Sequence, residues 1–598
     1  MKLLNQLIKP CFLYFFLVSI LIACHTDTTS NPQKDTTPPN ILFILTDDQG
    51  WGDLSINGNQ NLQTPNIDQL AKNGAILDRF YVSAVCSPTR AEILTGRYSV
   101  RSGVYSTSQG GERIDLDETT IAAVFKKAGY KTGAFGKWHS GMQYPYHPNG
   151  RGFDEYYGFC SGHWGNYIDP ILEHNGELVQ GEGFLPDDLT NKAMAFMEKN
   201  KNQPFFAYLP FNTPHSPMQM PDKWWDKFKD KELVNLGDGR GKEEIEHTKA
   251  ALAFCENIDW NIGRLIKKLQ DLHLEENTII VYLSDNGPNG ARWNGQMKGR
   301  KGSTDEGGVR SPTFIQWKNK IPANTKIKTI AAAIDFLPTL TDLAGIPMIS
   351  HKPLDGKSIK PLLLDENAKW EDRLIYNYWR EKLSVRSQDF RLGHEGQLFD
   401  MVNDPEQRVN VAEKFPKIFS QLKTAQTNWL NEVAIELPKK DNRSFPIGHP
   451  DYKNTQIPAR DGHATGQIKR SNRWPNCSYF TNWTNVQDKI TWEAEVIESG
   501  DFEVILYYTC PAEDIGGIVE VRFGEHALQG KITEAHNPAL RNVDKYRYPN
   551  AESFVKDFKP LNLGKIHMEK GKGILSLNAL EIKGKTLMDF RLMMLKRV

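Results

Sequence analysis

Short apolar runs alternate with amphipathic stretches over the first 350 residues. Asn40-Ile-Leu-Phe-Ile-Leu45, Pro204-Phe-Phe-Ala-Tyr-Leu209 and Thr278-Ile-Ile-Val-Tyr-Leu283 each read as a strand buried on both faces. Between the first two, Thr64-Pro65 supplies an N-cap and a first-turn proline, with Gly74 as the stop. Leu252, Cys255, Ile258, Ile262, Leu265, Leu269 and Leu272 recur by threes and fours, the stripe of a longer helix. This alternation predicts an α/β domain over 40–350, with a mixed, mostly parallel sheet sandwiched by helices.

The texture then changes. Leu374-Ile-Tyr-Asn-Tyr378, Leu383-Ser-Val-Arg386 and Gln397-Leu-Phe399, with a helix near 411–435, predict a small α+β lobe over 351–437. A Pro-, Asn- and Arg-rich stretch, 438–475, reads as a linker. Beyond it Ile490, Trp492, Ala494 and Val496 alternate with polar residues, and further runs at 502–508 and 517–523 predict a C-terminal β-sandwich over 476–598.

The N-terminus reads as an address. Lys2 and Lys9 precede an apolar run, Cys11 to Ala23, shorter than the roughly 20 residues of a spanning helix and suited to a secretory signal. It ends Leu21-Ile22-Ala23-Cys24, which resembles a bacterial lipobox and predicts cleavage of 1–23, lipid on Cys24 and a polar tether over 24–39. The expectation is an exported, membrane-anchored lipoprotein on the outer membrane, cell surface or periplasmic face.

Composition narrows the partners. The 598 residues carry 73 Lys+Arg against 73 Asp+Glu, so no bulk field steers the chain to nucleic acid. Hydrophobic residues at 39% and charged residues at 24% exclude whole-chain disorder. Seven cysteines are too few for a disulfide scaffold. Cys477 and Cys510 share the last domain as a candidate pair, whereas Cys255 sits on an apolar helix stripe.

Chemistry gathers at strand ends. Thr46-Asp47-Asp48, Gly136-Lys137-Trp138-His139, Thr213-Pro214-His215-Ser216-Pro217 and Ser284-Asp285-Asn286-Gly287 each follow a run read as a strand. Open α/β sheets place their ligand crevice there. Asp47, Asp48, Asp285 and Asn286 offer hard oxygens and no thiolate, a set suited to Ca²⁺ or, less well, Mg²⁺. Cys86-Ser-Pro-Thr-Arg90 places a cysteine at a helix start, where anions bind and thiols are activated.

Cys86-x-Pro88-x-Arg90 followed by Leu94-Thr-Gly-Arg97 resembles the signature of type I sulfatases, in the alkaline phosphatase superfamily. The four strand-end clusters match that family in order, as do Gly152-Phe-Asp-Glu-Tyr-Tyr-Gly158 and Lys301-Gly-Ser-Thr-Asp-Glu-Gly-Gly-Val-Arg310. The likeness spans residues 38–435. It implies that a formylglycine-generating or anaerobic maturating enzyme converts Cys86 to formylglycine. The hydrated aldehyde, on a cation held by Asp47, Asp48, Asp285, Asn286 and residue 86, attacks sulfur and then collapses to release sulfate. Arg90 and Lys137 would stabilise the diol, His139 would be the base, and His215 and Lys301 would hold sulfate and protonate the leaving alcohol. Lys298 is a rival for the role of Lys301.

The family resemblance, with the anchor, implies a sulfated polysaccharide or oligosaccharide of algal or host origin as substrate. His163, Trp164 and Asn166, with Tyr378 and Arg380, are candidate sugar contacts, since aromatics and planar polar groups suit stacking and hydrogen bonding. Competing readings are a phosphodiesterase or phosphonate monoester hydrolase of the same superfamily, and a surface glycan-binding lipoprotein.

Overall fold

The computed structural model describes residues 38–598, apart from 366, 438–440, 551 and 553. The expected signal, Cys24 and nearly all of the tether lie outside the described residues. Among these, no helix is long and apolar enough to cross a membrane.

Four buried strands form the centre of a ten-stranded sheet: β1 (Asn40–Asp47), β2 (Lys131–Lys137), β3 (Phe205–Pro214) and β4 (Thr278–Ser284). Across the sheet the order is Thr325–Ile327, Ala75–Leu77, Thr313–Trp317, β4, β1, β3, β2, Glu155–Phe159, Ile171–His174 and Glu177–Gln180. The centre is parallel throughout; antiparallel pairs begin at Thr313–Trp317 on one side and Ile171–His174 on the other. The fold is thus the mixed, mostly parallel sheet that the alternation predicts.

The period of two along β1 divides the core. Ile41, Phe43 and Leu45 pack under helix α1 (Cys86–Thr95) and the helices Ile121–Lys127 and Phe336–Leu343. Leu42 and Ile44 face the opposite layer, with α2 (Ile245–Asp271) and Leu185–Lys199. Cys255 is fully buried there, as its place on the α2 stripe requires.

Strands Ile375–Trp379, Lys382–Arg386, Phe390–Leu392 and Leu398–Asp400 form a small antiparallel sheet under the helix Pro416–Glu432. The C-terminal region is two six-stranded sheets around one apolar core that includes Trp483, Trp492, Phe502 and Phe590. Cys477 and Cys510 are both free thiols in it, so the candidate disulfide does not form.

The stretch 438–475 is not a linker. It supplies Phe445–Ile447, Asn454–Pro458, His463–Ala464 and Lys469–Arg470 to the two sheets. Its polar composition satisfies groups of the α/β domain: Arg460 pairs with Glu112 at 2.6 Å, Gln456 donates to Glu173 at 2.7 Å, and Arg443 pairs with Asp115 at 2.9 Å. Short strands rich in proline and side-chain bridges carry no periodic apolar signal, hence the misreading.

Candidate active site

The four central strands end on one rim. β1 finishes at Asp47 with Asp48 beyond it, and β2 at Lys137 with His139 two residues on. His215 follows β3, while Asp285 and Asn286 follow β4. Asp48 (φ 70°) and His139 (φ 58°) adopt the left-handed conformation that side chains of this type rarely hold without compensation. At Gly136 (φ 140°) a Cβ would lie 2.0 Å from the Pro210 carbonyl oxygen, so glycine lets β2 approach β3 where Lys137 enters the site.

α1 begins at Cys86, and all of its residues are buried, Arg90 and Glu92 included. Arg90 donates to Asp285 and to the Lys137 carbonyl, both at 2.8 Å. Lys137 Nζ lies 2.7 Å from Asp47 Oδ2, and Lys301 Nζ 2.7 Å from Asp48 Oδ1. Asn286 donates to Asp48 Oδ1 at 2.8 Å, and His215 Nε2 stands 3.7 Å from Asp48 Oδ2. Lys298, the rival, turns to Asp305 at 3.7 Å.

Ligand atoms of Asp47, Cys86 and Asp285 lie within 4.8 Å of one another. Asp47 Oδ1 and Asn286 Oδ1 are buried with no hydrogen-bond partner, although Arg90 Nη2 stands 3.9 Å from the former. Burial, then Asp47, push Asp285 up to about 6 despite Arg90 and Lys137. Burial would also raise Asp48, but Lys301 and His215, with Asn286 donating, hold it well below the usual carboxylate range. Crowded carboxylates with orphaned oxygens fit a hard divalent cation. Burial raises the Cys86 thiol against the pull of Lys137 and Lys301, so an unmodified thiol here is a poor nucleophile. An oxygen nucleophile at this position fits both the oxygen ligand set and the cations.

His139 Nε2 meets the Thr107 carbonyl at 2.8 Å, and its Nδ1 is buried without a partner. Burial and then Lys137 keep this imidazole neutral well below its ordinary range. Burial and Lys301 lower His215 to about 4.

Of the candidate sugar contacts, His163 is at the site, its ring 5.4 Å from that of His215. Its Nε2 is buried and unpartnered. Trp164 stacks on Phe159 with Arg591 over its face, and Asn166 donates to the Ile168 carbonyl and accepts from Asn542. Both are engaged in packing rather than facing the crevice. Tyr378 packs against Trp429, because strand alternation places it opposite Asn377, which donates to the Val82 carbonyl. Arg380 lies in the turn after that strand, exposed and over Trp379. Neither joins the site.

Sequence reading missed three supports. Arg292 binds Asp53 and donates to the Asp48 carbonyl at 2.8 Å, holding the strained residue. Glu552, from the C-terminal region, stands 3.8 Å from His163 Nδ1. Asn476 accepts from the Gly162 amide at 3.1 Å. The last two are hundreds of residues from the strand-end clusters, and no local pattern marks them.

A family model described as Sulfatase matches residues 39–346, and one described as N-sulphoglucosamine sulphohydrolase, C-terminal, matches 301–432. N-acetylgalactosamine-6-sulfatase of Canis lupus familiaris is 31% identical over 398 residues, 60% of this chain and 72% of that protein. N-acetylglucosamine-6-O-sulfatase of Bacteroides thetaiotaomicron is 27% identical over 543 residues, 73% of this chain and 92% of that protein. Among solved structures, Ps i-CgsB in complex with k-i-k-neocarrahexaose superposes with a TM-score of 0.60 at 30% identity, covering 66% of this chain and 93% of that one.

Proposed function

This chain belongs to the sulfatase family and is a sulfuric ester hydrolase, and on that premise we propose that it removes sulfate from sulfated polysaccharide or oligosaccharide. In this reading Asp47, Asp48, Asp285, Asn286 and residue 86 hold Ca²⁺, and Cys86 is converted to formylglycine by a formylglycine-generating or anaerobic maturating enzyme. The chain is exported and anchored through lipid on Cys24. The sugar-directed names of its relatives support the substrate class.

The observation that carries the proposal is the pair of orphaned oxygens, on Asp47 and Asn286, in the cluster that contains Cys86. A cation held by Asp47, Asp48, Asp285 and Asn286 would lower the pKa of a hydroxyl supplied by residue 86. Lys137 pairs with Asp47 and Arg90 with Asp285, which fixes the orientation of both carboxylates. Lys301, beside Asp48, would donate to the oxygens of a bound sulfate and to the departing alcohol; His215, whose Nδ1–H meets the Ser216 carbonyl at 2.7 Å, would add a donor through Nε2 only when protonated. His139 offers the free Nδ1 lone pair as a base. These groups are fixed before substrate arrives, which is where electrostatic preorganisation gains its advantage.

The test is sulfate release from a panel of defined sulfated oligosaccharides, run beside sulfate and phosphate esters of one chromophore. Turnover of sulfated sugars with clear preference for the sulfate ester is expected. A preference for phosphate refutes the assignment.

A further inference from the structure

Arg460 and Asn476 belong to the C-terminal sandwich region, yet both are buried against the catalytic domain. Asn476 Nδ2 donates to the Thr107 carbonyl at 3.0 Å. Its Oδ1 accepts from the Gly162 amide at 3.1 Å and from Arg460 Nη1 at 3.2 Å, and its own carbonyl accepts from Ser161 Oγ at 2.5 Å. Every polar atom of this side chain is committed to the boundary. Buried in this boundary, the amide of the Asn476-Cys-Ser478 tripeptide, a glycosylation-type sequence, is not accessible to a glycan in the folded chain.

The Thr107 carbonyl is also the partner of His139 Nε2. A carbonyl only accepts, so Nε2 carries the proton and Nδ1 is left with its lone pair. Nδ1 is the ring nitrogen without a protein partner. Gly162 fits between these groups: a Cβ there would lie 2.6 Å from His139 Nε2 and 2.4 Å from Asn476 Nδ2. The imidazole is thus held by a carbonyl on one side and by a close-packed glycine backbone on the other. One amide from a different domain ties both in place.

We infer that Asn476 is a positioning residue of the catalytic centre, fixing His139 as its Nε2–H tautomer through the Thr107 carbonyl. The sandwich is then part of the active site and not an independent module. The catalytic meaning rests on the proposed role of His139 as base; the tautomer does not. A base held in the wrong tautomer presents a hydrogen where it must present a lone pair.

Asn476→Asp keeps the shape and the acceptor toward Gly162 but removes the Nδ2 donor. The direct measurement is nitrogen NMR of selectively ¹⁵N-histidine-labelled protein with Cys86 unmodified, with His139→Asn assigning the signal. The wild-type chain should show His139 as the Nε2–H tautomer, and N476D should lose that signature. In matured enzyme N476D should lower kcat on an aryl sulfate about 10²-fold, with KM within about twofold. Gly162→Ala, acting from the other side of the ring, should do the same. Asn482→Ala removes a sandwich side chain that donates to the Gln467 carbonyl and should change neither readout.

An Nδ1–H wild-type ring overturns the inference without any variant. So does a tautomer retained in N476D and G162A, or one lost while kcat stays intact. Failure of the formylglycine reading is separate: it appears as an unmodified residue 86 in active protein and leaves the tautomer measurement standing.

Discussion

Lys137 Nζ sits 2.7 Å from one oxygen of Asp47, while the other oxygen of that carboxylate is buried with no hydrogen-bond partner. The lysine fixes the carboxylate's orientation in a cluster where ligand atoms of Asp47, Cys86 and Asp285 lie within 4.8 Å of one another. A cation bound there stabilises only the folded chain, so Ca²⁺ should raise the melting temperature of chelator-treated protein. At a hundredfold excess over its Kd the gain is ~2.7 kcal/mol. Asp47→Asn should abolish that gain and most of the activity. Calorimetry with and without Ca²⁺ checks it; melting indifferent to Ca²⁺ in the wild type refutes the cation site.

Cys86 should be an aldehyde in active protein. The thiol is raised by burial, so it has little nucleophilic character of its own. Cys86→Ala should lower sulfate-ester hydrolysis by about 10³-fold or more while leaving the fold intact, because alanine suits the first position of a buried helix. Peptide mass spectrometry of the active-site segment reads the modification directly. A fully active preparation carrying only the thiol sinks the mechanism.

The strand ends were legible because their signal is local. Three short apolar runs, at 40–45, 204–209 and 278–283, are each followed within a few residues by Asp, His or Asn and need no tertiary information to read. α1 is different: buried all round, it carries Arg90 and Glu92 inside and shows no amphipathic stripe, and only its motif marks it. Tyr378 fails for a reason of phase, since a one-residue offset in a strand exchanges the two faces of a sheet. The stretch 438–475 reads as a linker because its polar side chains are satisfied across a domain boundary, as Arg460 is by Glu112. Asn476 and Glu552 reach the site from over 150 residues beyond the last strand-end cluster, a relationship that only the folded chain creates.

Glu552 should shape specificity. Its carboxylate stands 3.8 Å from His163, and His163, His215 and Glu552 bring ligand atoms within 4.8 Å of each other beside the groups assigned to sulfate. A carboxylate there disfavours a second anionic substituent close to the scissile ester, at a cost of ~1 kcal/mol in a partly solvated site. Glu552→Gln should therefore raise kcat/KM for a disulfated over a monosulfated sugar about three- to tenfold, with kcat on a simple aryl sulfate changed by less than about twofold. An unaltered ratio removes Glu552 from substrate selection.

Glu92 gives the fold a pH dependence separate from catalysis. It lies inside α1, where burial pushes its pKa from 4.5 up to about 8 although the Ser83 hydroxyl and the Ser99 amide donate to one carboxyl oxygen. The folded chain therefore keeps this proton at pH values where the unfolded chain has released it. Between about pH 4.5 and 8 the folded state binds more protons, so stability declines with rising pH and levels off above the folded pKa. The slope from this one group is at most ~1.4 kcal/mol per pH unit. Glu92→Gln, which keeps the shape and cannot ionise, should remove the decline. Urea unfolding of both chains at pH 5.5 and 8 should show the wild type losing stability relative to the variant as pH rises. Parallel losses would place the proton elsewhere.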